Sequence, residues 1–157
     1  MKTDVGHPPA VTADQATALK LWVVLARAHA AIAARTAADV ERHGLTLAEF
    51  GILEALHHKG PMLLGELQRR ILVSSGGVTY LVDRLVKRGF VERRDCPSDR
   101  RARYAALTDD GERFIAGIFP DHAECVRETL EGLSVDEQRE AARLLRQLGL
   151  AAADRVG

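Results

Sequence analysis

The 157-residue chain carries 22 basic and 22 acidic residues and is 46% hydrophobic but only 4% aromatic. That length supports one good core with room for a dimerisation layer, and an apolar share resting on Ala, Leu and Val favours closely packed helices. Global charge balance gives no sign of a polyanion partner. The two cysteines, Cys96 and Cys125, make neither a disulfide framework nor a four-cysteine metal site. Residues 1–10 lack the apolar core of a signal peptide, and Arg27, His29 and Arg35 interrupt the best apolar run before it reaches the roughly 20 residues of a bilayer span. The expectation is a cytoplasmic protein without membrane, metal or cofactor.

In chain order, residues 1–11 hold Gly6, Pro8 and Pro9 and read as an N-terminal arm. A first helix occupies 12–44, with Thr12 or Asp14 as N-cap and Gly44 as its stop. Leu21, Leu25 and Ile32 fall on one side of it, and Trp22, Val23, Ala26, Ala30 and Ala33 near the other. A helix without a clear polar face in so small a protein implies burial between protomers. Thr46 and Glu49 then form a capping box ahead of Phe50, Leu53 and Leu56. Gly60-Pro61 ends that helix. A short helix over 63–70 points Leu64, Leu67 and Ile71 inward, and Leu72-Val73 turns the chain.

A helix over 74–88 places Val78, Leu81, Val82 and Leu85 on one side by the 3.6-residue period. Gly76, Tyr80, Asp83 and Lys87 point the other way, flanked by Thr79 and Arg84. After Gly89, residues 90–94 and 103–107 read as the arms of a hairpin whose tip spans 95–102. A support, a short helix, a turn, a reading helix and a charged hairpin make a winged helix-turn-helix over 45–108, with its recognition helix at 74–88 and its wing at 90–107. Local charge agrees. Residues 69–103 hold ten basic and four acidic residues, a net of +6 that leaves −6 elsewhere, so a positive surface faces a polyanion.

Beyond the wing, Thr108 caps a helix whose first turn carries Asp109, Asp110 and Glu112. Pro120 is expected to kink or divide this helix. Ser134 and Glu137 form another capping box, opening a last helix with the stripe Ala141, Leu144, Leu145 and Leu148. Residues 109–157 and the first helix exceed what a DNA-reading unit needs and are assigned to dimerisation. The fold class is therefore mainly α (α+β).

The stretches LTLAEFGILEAL, LVSSGGVTYLVDRLVKRGFVERR, DCPSDRRARYAALT, DDGERF and LSVDEQREAARLL resemble the multiple antibiotic resistance regulator (MarR) family of bacterial transcription factors over nearly the whole chain. The resemblance implies a homodimer with interlocking first and last helices, repressing genes until a small phenolic, oxidant or other effector weakens its hold on DNA. It also implies that Ser74, Ser75, Gly76, Thr79, Tyr80 and Arg84 lie at the major groove or its phosphates. Arg100 or Arg101 would lie near the minor groove, with Asp99 orienting an arginine. Gly76-Gly77 departs from the family's commoner pattern at a cost of about 1 kcal/mol of helix propensity per glycine. Either a phosphate approaches the backbone closely there, or the helix is fully ordered only on double-stranded DNA. Two recognition helices in a symmetric dimer would read half-sites of a palindrome roughly 10 bp apart.

Other constellations carry two readings each. Trp22, His29, His57 and His58 are candidates to hold an aromatic effector, against dimer-core packing for Trp22 and solvent-facing positions for the histidines. Cys96, among four arginines, is a candidate redox thiol, against an unreactive loop cysteine. His122 and Cys125 share a helix face but have no evident third ligand, which favours chance spacing. Ser74 or Ser75 with His57 or His58 would be a nucleophile and base, yet no strained elbow or orienting acid accompanies them. No catalytic residue is assigned. The remaining alternative is a winged-helix adaptor or antirepressor that contacts only proteins.

Overall fold

The computed structural model describes residues 11–71, 75–96 and 99–155. Their order is α1 (Ala13–Glu41), α2 (Leu47–Lys59), β1 (Met62–Leu63), α3 (Leu64–Ile71), α4 (Ser75–Lys87), β2 (Val91–Cys96), β3 (Asp99–Leu107), α5 (Asp109–Thr129) and α6 (Val135–Ala153). The chain divides into two compact units between Ala34 and Arg35.

The first unit holds most of α1. Thr12 opens it: the Gln15 N–H donates to the Thr12 hydroxyl at 3.2 Å and the Thr12 N–H donates to Gln15 Oε1 at 2.9 Å, a reciprocal cap. Leu19, Leu21, Trp22, Val23 and Val24 are all exposed. Contrary to the expectation drawn from Arg27, His29 and Arg35, α1 is long and apolar enough to cross a bilayer by length and composition, with a stretch of mean hydropathy 1.3. Alanine, leucine and valine between those charges outweigh them in the average.

The second unit contains the core. Phe50, Ile52, Leu53 and Leu56 of α2 meet Leu67 of α3, Val78, Val82 and Leu85 of α4, Val91 and Ala105 of the sheet, and Ile115 and Ile118 of α5. Burial of this set is the main force holding the reading helix to its support. Both capping boxes form: Thr46 with Glu49, and Ser134 with Glu137. Gly44, Gly60 and Gly89 all have positive φ, so each lets the chain leave a helix in a conformation that side chains resist.

Three features differ from the sequence reading. The hairpin is longer than expected, because β2 and β3 stay paired from Val91↔Leu107 out to Cys96↔Asp99, with a register shift between Asp95 and Cys96. A third strand joins them: β1 pairs antiparallel with β3, Met62 opposite Ala105 and Leu63 opposite Tyr104, giving the order β1-β3-β2. Two residues show no alternation, so only a partner strand makes them a strand. Finally, of the two outcomes expected at Pro120, a kink or a division, division does not occur: α5 is one helix from Asp109 to Thr129. Proline removes a single N–H from the ladder, and the buried Ile115 and Ile118 hold the preceding turns to the core.

Candidate nucleic-acid interface

Helix α4 has one buried face, with Val78, Val82 and Leu85 at 2% exposure or less. Gly76, Thr79, Tyr80 and Lys87 are on the exposed side, and Asp83 and Arg84 are half-buried at its border. The periodicity placed the faces correctly because a 3.6-residue repeat fixes which side chains share a side. Nothing lies within 4 Å of where a side-chain carbon at Gly76 would stand, so packing does not demand glycine there. Ser74 falls outside the described residues. Ser75 opens α4, Cys96 ends β2, and Asp99, Arg100 and Arg101 begin β3.

Tertiary contacts set the angle at which α4 is presented. On the support side, Arg84 Nε lies 3.2 Å from Oε1 of the fully buried Glu49. On the wing side, Arg93 of β2 donates to Asp83 at 2.6 Å. At the C-terminal end, Arg88 donates to the Gly44 carbonyl at 2.7 Å and lies over the Phe90 ring, 5.0 Å from its centroid. The sequence reading counted Glu49 as a cap and Asp83 and Arg93 as charges. It missed these cross-links because partners on different elements leave no spacing signal.

Charge pairing also trims the basic surface. Arg94 donates to Glu92 at 2.7 Å and Arg103 pairs with Asp95. Together with Arg93–Asp83, three of the acids in this region are matched by wing arginines. The Arg94–Glu92 and Arg103–Asp95 pairs are solvent-exposed, so they contribute little stability and are readily exchanged for phosphate.

Of the effector candidates, Trp22 and His29 are exposed in the first unit. In the second unit, His57 Nδ1 is 2.7 Å from Glu112 Oε1, and its ring centroid is 5.0 Å from that of His58. His58 meets Phe119 edge-on at 4.9 Å. It also lines a groove of about 550 Å³ along α2, with Gly51, Ala55, Lys59, Arg70 and Ile71 among its other walls. His122 is occupied otherwise, 2.9 Å from Asp39 and tilted at 46° against the Phe50 ring, 4.1 Å between centroids. Cys125 is a half-buried free thiol.

A helix presented on two supporting helices, followed at once by an arginine-bearing antiparallel hairpin, defines a winged helix-turn-helix protein that binds DNA. The sequence pattern of the MarR family matches residues 43–102, and the chain belongs to that family of transcriptional regulators. It is 38% identical over 134 residues to the HTH-type transcriptional regulator MhqR of Bacillus subtilis, covering 85% of this chain and 92% of MhqR. The fold superposes with a TM-score of 0.79 and 25% identity on Sco3205, a MarR family transcriptional regulator of Streptomyces coelicolor solved in complex with DNA. That match covers 91% of this chain and 90% of Sco3205. BpsR of Bordetella bronchiseptica, whose DNA binding is regulated by 6-hydroxynicotinic acid, matches with a TM-score of 0.75 and 25% identity over 83% of this chain and 98% of that one.

Proposed function

We propose that this regulator is a cytoplasmic repressor that binds a palindromic operator as a homodimer and is released by a small aromatic effector or an oxidant. The observation carrying the reading is the exposed polar side of α4 beside the arginine-rich hairpin. The N-terminal amides of α4, with Ser74, Ser75 and Gly76, suit phosphate, and Thr79 and Tyr80 suit base edges or a thymine methyl. Arg84 borders this surface, and Arg100 or Arg101, oriented by Asp99, reaches the adjacent minor groove. The exposed leucines of α6 and the exposed apolar residues of α1 support pairing with a second copy. The regulation of BpsR by an aromatic acid supports an effector of that kind. Its candidate contacts are His57 and His58 in the second unit, Trp22 and His29 in the first unit are candidates taken separately, and Cys96 is the candidate for an oxidant.

Selection of bound sites from random duplex DNA tests the reading. The expected product is an imperfect palindrome with half-sites about one turn, roughly 10 bp, apart. Affinity for it should fall steeply with salt, and a panel of aromatic acids, phenols and peroxide should contain a compound that releases it. A protein that enriches no sequence, even at low ionic strength, is an adaptor and not a regulator of this kind.

A further inference from the structure

The two carboxylate oxygens of Glu49 serve different elements. Oε2 stays within its own helix start, accepting from the Thr46 N–H at 2.9 Å and the Thr46 hydroxyl at 3.1 Å. Oε1 is sealed from solvent without a hydrogen bond and faces Arg84 Nε at 3.2 Å. The third residue of a capping box serves as well with glutamine as with glutamate, so the cap alone does not ask for a negative charge. A carboxylate with 0% exposure does ask for a positive one. The ion pair holds the Nε edge of a rigid, planar guanidinium toward the support. The same guanidinium stands over the Tyr80 ring, 5.9 Å from its centroid. Tyr80 lies one turn nearer the start of α4 and is 61% exposed.

We propose that Glu49 is a specificity-positioning residue: acting through Arg84, it sets where the exposed Tyr80 ring stands on α4, and thereby which base pairs α4 accepts, without touching DNA. The inference rests on the reading that α4 enters the major groove. A buried residue on the supporting helix thus tunes sequence preference, while affinity for DNA in general is set by the arginines and amides at the surface.

The test uses the full chain, the duplex recovered by site selection, its single-base-pair variants and an unrelated duplex. Glu49→Gln keeps an acceptor for the cap and removes the charge. It is expected to bind the unrelated duplex with unchanged affinity and salt slope, while discrimination against variants at the pairs read by α4 shrinks about tenfold. In an Arg84→Met background, Glu49→Gln should change discrimination no further, because both act in one relay. Thr46→Ala removes the cap and leaves the ion pair, so it should lower Tm and preserve discrimination. Unchanged discrimination in Glu49→Gln overturns the inference, as does equal loss in both backgrounds or an equal loss in Thr46→Ala. Discrimination lost in Tyr80→Ala but kept in Glu49→Gln overturns the inference and leaves groove reading intact. A wild-type protein indifferent to all duplexes overturns both.

Discussion

Asp39 lies near the end of α1 with its side chain 2% exposed. A carboxylate only accepts, so the His122 contact at 2.9 Å requires the proton on Nδ1. Arg42 pairs with the other oxygen. Burial is the largest single influence on this group and pushes its pKa up. Hydrogen bonds from His122 and Arg42, with their charges, together outweigh it and hold the carboxyl below the ordinary 3.8. A folded pKa below the unfolded one means stability that is fully present above 3.8 and lost as pH falls through the folded value. Asp39→Asn should therefore be less stable than wild type at pH 7, by about 1–3 kcal/mol. The two stability curves, measured by denaturant titration between pH 2 and 7, should converge in acid; curves that stay parallel would remove Asp39 as the cause. Cap residues such as Thr46, Thr108 and Ser134 were legible in the sequence because their partners stand three residues away. Asp39 and His122 stand 83 residues apart, and no local pattern joins them.

Helix α5 begins on top of Phe90, the residue just before β2. The Thr108 N–H donates to the Phe90 carbonyl at 3.1 Å, and a side-chain carbon at Gly111 would collide with that same carbonyl. Phe90 and Phe114 stack 4.3 Å apart beside it. Gly111→Ala must push the first turn of α5 off the base of the wing, a backbone clash expected to cost about 1–3 kcal/mol. A lowered denaturation midpoint with unchanged slope checks it, and Gly76→Ala, which meets open space, is the control expected to lose nothing. If both glycines tolerate alanine equally, the docking of α5 on Phe90 is not what positions the hairpin. The sequence showed Gly111 only as a break among acids in a first turn. Its role comes from a carbonyl in another element, as does the strand character of Met62-Leu63.

Leu144, Leu145 and Leu148 are 43–49% exposed, and α6 has no buried residue. On α1, Trp22 is 66% and Leu21 53% exposed. Exposed apolar side chains of this kind, on α6 in the second unit and on α1 in the first, call for a covering partner. Under the proposed homodimer, Leu145→Glu with Leu148→Glu should yield a folded monomer by sedimentation. Its affinity for a palindromic duplex should drop by about a hundredfold or more as the second half-site stops contributing, while binding to a single half-site changes little. A variant that stays dimeric moves the interface elsewhere.

Helix starts, the apolar stripe of α4, the wing's position and the local excess of positive charge all follow from residues within a few turns of one another. Backbone periodicity and short-range capping act at that range, which is why the residues alone specify a winged reader of DNA. The cross-links from Glu49 to Arg84, Asp83 to Arg93 and Arg88 to Gly44 are settled only when separate elements pack, as is the third strand. Their partners lie 10 to 44 residues apart. Burial brings those groups together and makes each charge answer to the one that faces it, and only the folded chain decides which one that is.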